Sequence, residues 1–280
     1  MMSSTPGDLT IHPRDLSFGR GQTPARHWLG GDPVATTFFN ALSASFPRGE
    51  RFFIDAVKRY RNCAQPPLQD QITAFIAQES VHTREHLLFN SQIGGQGYDL
   101  EPIDAFLKAQ FEWARKKPEI QQLAATTALE HFTAILAHAA LTEPAYLSGA
   151  APAIQRLWRW HAIEEIEHKS VAFDTFLAAT QNMSGFRRWL LRSYVMIVAT
   201  GLFLSELFFA ARQFFRQDGI NTPRTWLRFL HYILVRPGML REIFPSYLTY
   251  FKPSFHPWQV DDRALIAAVD QELASAHAAE

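Results

Sequence analysis

Two nine-residue stretches decide the reading of this chain: residues 78–86, QESVHTREH, and residues 160–168, WHAIEEIEH. The first contains Glu79-x-x-His82 and the second Glu165-x-x-His168. On a helix, positions three apart project from nearly the same face. A carboxylate and an imidazole placed in this way can ligate one metal ion, and the carboxylate can also reach a second. A single Glu-x-x-His occurs by chance on many solvated helices. Two of them, each midway along a long helical segment, point to a site.

Working outward, helical periodicity recurs along the chain and strand alternation is absent. A first helix is expected after Asp32-Pro33, a cap followed by proline in the first turn, and runs to about Asn62. Phe46-Pro47-Arg48-Gly49 should break or kink it. A second helix spans about Leu68–Asn90, and a long connection from Ser91 to Pro118 carries a short helix near Ile103–Arg115. A third runs from Pro118 to about Leu141, and a fourth from about Pro152 to Thr180. Short links join helices one to two and three to four, with the long link between two and three. That order predicts an all-α, ferritin-like up-down-down-up four-helix bundle with additional C-terminal helices. The expected organisation is an N-terminal arm over 1–30, loosely ordered at its start, a bundle over 31–182, and an apolar helical extension over 183–280 packed on it. The extension is expected to hold helices near Phe186–Gln217, Thr222–Val235 and Asp261–His277.

Each remaining bundle helix offers a glutamate. Glu50 precedes the apolar run Phe52-Phe53-Ile54, and Glu130 lies in LAATTALEHFTAILA, residues 123–137. An ionised carboxylate in so apolar a face needs a partner, and a metal ion is one. One Glu from each of two helices plus Glu-x-x-His from the other two is the pattern of di-iron and di-manganese carboxylate bundles. Glu50, Glu79, His82, Glu130, Glu165 and His168 are therefore the candidate ligands. His161 precedes Glu165 by four and can point at the same site. The oxygen-rich set with imidazole suits two iron ions, with manganese as the alternative.

Neighbouring residues are assigned by the same geometry. Glu164 and Glu167 project away from Glu165 and are expected to form solvated salt bridges. His131 points off the metal face, while Arg84 and Glu85 stay open between a supporting and an exposed role. If helices two and four are antiparallel, His86 and His161 converge at one end of the site. His86 is then a supporting group or a substrate-side proton donor, with metal ligation a further alternative, and the competing reading leaves it on the helix surface.

Composition narrows the classes. Lys plus Arg equals Asp plus Glu at 27 each, which removes the electrostatic case for a nucleic-acid partner. The one cysteine, Cys63, excludes an internal disulfide and fits a reducing cytoplasm. The absence of any Cys-x-x-Cys pair argues against a thiolate zinc site or an iron–sulfur cluster. No signal-peptide core is present near the N-terminus, so a cytoplasmic location is expected, with membrane association as an extension of it. Residues 193–211, SYVMIVATGLFLSELFFAA, are apolar around most of a helix and flanked by arginines. Glu206 makes a transmembrane span expensive. A helix covering the bundle, lining an apolar channel, or making peripheral membrane contact is expected instead.

Several of these stretches, HWLGGDPVATTFFNALSASFPRGERFF, FIAQESVHTREH, ALEHFTA and WRWHAIEEIEHKSVAFD, resemble a bacterial family described as predicted metal-dependent hydrolases. The resemblance covers roughly Arg26 to Arg216. The His161-Glu165-His168 spacing is also similar to the ligand set of p-aminobenzoate N-oxygenase, a di-iron enzyme with an extra histidine. That likeness implies His161 as a seventh ligand and raises the weight of oxygen chemistry. The main functional expectation is thus an O2-activating oxidase or oxygenase acting on an apolar small molecule, supplied by an electron donor. The alternatives are a hydrolase using metal-activated water, as the family description implies, and non-enzymatic iron binding.

Overall fold

Why these segments are helices is visible at their ends. In the computed structural model, which describes residues 4–21 and 23–278, Asp32 accepts a hydrogen bond from the Val34 amide and Pro33 opens α1 (Pro33–Arg59). The segment from Pro66-Pro67 leads into α2 (Leu68–Gly95), and α3 spans Glu101–Arg115. Helix α4 (Glu119–Thr142) starts after Pro118, and α5 (Pro152–Glu167) opens on Pro152. Then come α6 (Val171–Ala179), α7 (Gly185–Gln217), α8 (Pro223–Leu234), α9 (Met239–Thr249) and α10 (Arg263–Ala278). Ser184 and Thr222 cap α7 and α8 through their hydroxyls. The chain is all-helical among the described residues. The start of the arm, expected to be loosely ordered, falls at residues 1–3 and lies outside them.

Helix α1 packs along α2, and α4 along α5 and α6. The ion pairing of Arg59 with Glu119, and its bond to Gln122, place the C-terminal end of α1 at the N-terminal end of α4. Helix α7 covers α1 and α4, α9 lies on α4, and α10 lies on α5. The core between them is dominated by aromatic rings, among them Phe38, Phe39, Trp160, Phe214 and Phe215.

Three local expectations are corrected. Pro47 does not break α1, which is continuous through it. A proline at this position denies a hydrogen bond to the carbonyl four residues earlier, that of Ser43. Asn90 of α2 supplies it instead, its Nδ2 donating to the Ser43 carbonyl at 2.9 Å. Helix α2 also continues past Asn90 to Gly95.

The expected fourth helix is two helices, interrupted at His168–Ser170. There Lys169 donates to the Val260 carbonyl and to Asp262, and Ser170 bonds Thr5 and the Trp258 indole. Partners from the chain termini hold the break in place. The Pro- and aromatic-rich stretch 237–258 contains α9.

Candidate metal centre

Four helical segments bring seven donors into one buried volume. Glu50 comes from α1, Glu79 and His82 from α2, Glu130 from α4, and His161 and Glu165 from α5, with His168 at its end. All are buried. They form two three-donor groups, Glu50 with His82 and His161, and Glu79 with Glu165 and His168. Glu165 joins the groups. Its Oε1 lies 3.3 Å from both His82 Nδ1 and His161 Nε2, and its Oε2 lies 3.6 Å from His168 Nε2. Glu79 spans them similarly, 4.0 Å from His82 Nδ1 and 3.3 Å from His168 Nε2. Glu130 Oε2 approaches His168 Nε2 at 3.4 Å.

Whether the residues fit metal ions is tested by their unsatisfied atoms. Buried polar atoms in folded proteins nearly always have partners. Among the described residues, nine donor atoms of this cluster have no hydrogen-bond partner: Glu50 Oε1, both oxygens of Glu79 and of Glu130, His82 Nδ1, His161 Nε2, Glu165 Oε2 and His168 Nε2. Their convergence on one volume is what a pair of cations satisfies.

The far side of each imidazole is fully engaged, which settles its tautomer. His82 Nε2 donates to Glu164 at 3.0 Å, so Nδ1 is the nitrogen that faces the cluster. His168 Nδ1 donates to Gln78 Oε1 at 2.9 Å, and Gln78 Nε2 donates onward to Glu167 at 2.8 Å. His161 Nδ1 donates to His86 Nε2 at 3.1 Å; His86 Nδ1 then donates to Ser43 Oγ, which donates to Asn90 Oδ1. His86 and His161 therefore meet at one end of the cluster. Both ring nitrogens of His86 are used in holding His161. Glu50 is held by the Thr83 hydroxyl at 2.8 Å.

Electrostatics follow from this crowding. Burial, with the neighbouring carboxylates, raises Glu50 to about 8, Glu130 to about 7 and Glu79 well above the usual range. Glu165 is also buried, but His168 and its other imidazole neighbours outweigh burial and hold it well below. Burial would lower His82, yet Glu164 and Glu165 raise it to about 10. Burial and the charge on His82 lower His86 to about 3 and His161 well below its usual value. Four carboxylates in one dry volume are not neutralised by imidazoles alone, and two divalent cations would relieve the mismatch.

Glu164 and Glu167 are a correction. Rather than being solvated, their side chains are 0% and 1% exposed, and both bind Arg14. The N-terminal arm covers this face of α5 and inserts the Arg14 guanidinium between them. Nη2 lies 2.6 Å from Glu167 and Nη1 3.2 Å from Glu164. Nothing in helical periodicity signals an arm arriving from 150 residues upstream. Glu85 is likewise buried, accepting from the Phe18 amide and from Arg84, which is itself exposed. His131 is turned away, its Nε2 bonded to the Ser246 carbonyl. Gln78 could have been noticed from sequence, one residue before Glu79; Arg14, Ser43 and Asn90 carry no such signal.

The family model described as "Predicted metal-dependent hydrolase" matches residues 12–261. The chain belongs to that family. Its match begins within the arm that carries Arg14 and extends to the segment that holds the break at Lys169. No curated protein and no solved structure matches the chain.

Proposed function

We propose that this protein is a hydrolase dependent on two metal ions and acting on an apolar small-molecule substrate. The nine partnerless donor atoms gathered between four helices carry the reading. The family's description agrees with hydrolysis, the alternative drawn from sequence, better than with oxygen activation. The residues that would hold the ions are Glu50, His82 and His161 on one side and Glu79, Glu130 and His168 on the other, with Glu165 between them. Two divalent ions, when bound, lower the pKa of water and stabilise charge on a substrate oxygen. The chain's own contribution is orientation. Glu164 and the Gln78–Glu167 pair fix the imidazoles of His82 and His168, His86 fixes that of His161, and the aromatic surroundings exclude bulk water. The antiparallel course of α1 and α4 supports a ferritin-like up-down-down-up bundle as the framework.

The oxidase reading retains one observation in its favour: four carboxylates and three imidazoles without a thiolate suit iron or manganese. It requires O2 and an electron donor. One experiment separates the two. Protein loaded with zinc, manganese or iron is assayed on alkyl and aryl esters with and without oxygen. Turnover by the zinc or manganese form under anaerobic conditions is the expected result. Activity confined to the reduced iron form with oxygen uptake would transfer the assignment to the oxidase.

We also propose that the protein makes a peripheral contact with a lipid surface. Among the described residues, α7 is the one helix long and apolar enough to cross a membrane. Its inner face, including Met196, Leu207, Phe214 and Phe215, is buried against the protein, while Phe186, Leu190, Tyr194 and Ile197 form an exposed stripe. A helix committed on one face to a protein core suits a seat on a lipid surface. Cosedimentation with anionic vesicles, reduced by Phe186→Ser with Ile197→Ser, is expected; equal sedimentation of that variant removes the proposal.

A further inference from the structure

Between α1, α3, α4 and α7 lies a cavity of about 190 Å³ whose lining is overwhelmingly apolar. It follows α1 from Leu42 to Phe53, α4 from Gln121 to Leu136 and α7 from Tyr194 to Glu206. At about 1.5 Å per helical residue these stretches measure roughly 16 to 22 Å. An apolar cavity drawn out into a slot along the helices over such a length suits a hydrocarbon chain.

The two ends of the slot differ. At one, Trp113, Lys117 and Tyr194 line the wall, and Trp113 and Tyr194 are 44% and 61% exposed, so this is the mouth. At the other, Glu206 is buried and lies beside Ser45. It is a lone carboxyl in an apolar wall, and burial raises it to about 8, so it is held as a neutral hydrogen-bond donor. Between them stands Phe46. Its ring lines the slot and stacks on His161 with centroids 4.6 Å apart and planes at 18°. A molecule in the slot is therefore one aromatic ring away from a candidate metal donor.

We propose that this slot binds an unbranched hydrocarbon chain bearing a neutral oxygen group, an ester, aldehyde or alcohol, which Glu206 and Ser45 receive beside Phe46. The inference rests on the proposed function in identifying the occupant as substrate, but the binding it describes needs no metal. A buried carboxylic acid offers its proton to a neutral acceptor, whereas an anionic head would have to be desolvated with no cation beside it. The hydrocarbon part is held by burial of apolar surface along the phenylalanine-lined wall.

The test is titration of full-length protein with decan-1-ol and with decanoate at pH 7, followed by calorimetry and by tryptophan fluorescence, with bound metal measured on the same samples. Decan-1-ol is expected to bind one per chain, and decanoate about tenfold or more weakly. Ala125→Phe, which projects a ring into the slot, should abolish binding. If that variant does not fold, as judged by circular dichroism, Val198→Phe on the half-buried wall serves instead. Glu206→Leu should weaken decan-1-ol about tenfold and Glu206→Gln should restore much of it. Unchanged binding in the filled variants overturns the slot. Preferred binding of decanoate, lost in Lys117→Ala and not in Glu206→Leu, overturns the orientation by placing the head at the mouth. Failed binding with metal retained defeats the slot alone. Retained binding with no metal and no ester turnover defeats the hydrolase reading and leaves the slot standing.

Discussion

Replacing Arg14 by alanine tests the arm-to-centre connection most directly. The guanidinium is 13% exposed and contacts two carboxylates that are 0% and 1% exposed, with Asp270 as a third partner. Its removal leaves Glu164 with His82 Nε2 and the residue-14 amide, and Glu167 with Gln78 and a weak contact from the His12 amide. Both acids keep some hydrogen bonds, and Glu164 keeps its contact with His82, but the guanidinium that the two share is lost. Removing one partner from a buried ion pair costs about 3–5 kcal/mol, and the remaining bonds place Arg14→Ala in that range instead of at twice it. Because Glu164 and Glu167 orient His82 and His168, metal affinity should also fall about 10- to 100-fold. Urea unfolding followed by circular dichroism gives the first quantity, and competition with a chromophoric chelator gives the second. Arg48→Ala, which breaks the exposed pair with Asp104, is the control and should cost under about 1 kcal/mol. If Arg14→Ala proves no more costly than Arg48→Ala and leaves metal affinity intact, the arm is a covering segment and the reasoning fails.

Three further outcomes are expected. Glu206 has a folded pKa of about 8 against a usual 4.5, so the native state holds a proton that the unfolded state releases. Its stabilising contribution is fully present below about pH 4.5 and falls as the pH rises toward about 8, by about 5 kcal/mol in total. Stability curves at pH 5.5 and 8.5 should therefore converge in Glu206→Gln relative to the parent, and parallel curves would disprove the assignment. His86→Ala releases His161 Nδ1 and should weaken metal binding about tenfold, while His86→Asn retains part of it; equal affinity in all three proteins would show that His161 needs no support. Asn90→Ala strands the Ser43 carbonyl opposite Pro47 and should cost about 1–3 kcal/mol by chemical denaturation. A loss below about 0.5 kcal/mol would mean another group satisfies it.

Helical period and residue chemistry, both local properties, were enough to select the donors. A spacing of three residues puts Glu79 with His82, and Glu165 with His168, on one face whatever the rest of the chain does. Glu130 stands out because its segment has nothing else charged to offer water. The helix-starting prolines and Asp32 mark boundaries for the same local reason. What surrounds the donors was not legible, because it comes from distant parts of the chain. Glu164 looks like any outward carboxylate until Arg14 arrives from the arm. Pro47 looks like a helix breaker until Asn90 bonds the carbonyl that proline leaves bare. His168 sits at a helix break because Lys169 and Ser170 find partners beyond residue 250 and near residue 5. The slot beside Phe46 exists only between four helices, and no periodicity within one helix encodes the gap between helices. Sequence alone determined which side chains can meet a metal. The tertiary structure decided which nitrogen each histidine presents, which carboxylates support them and where the apolar slot lies, since those depend on contacts across the fold.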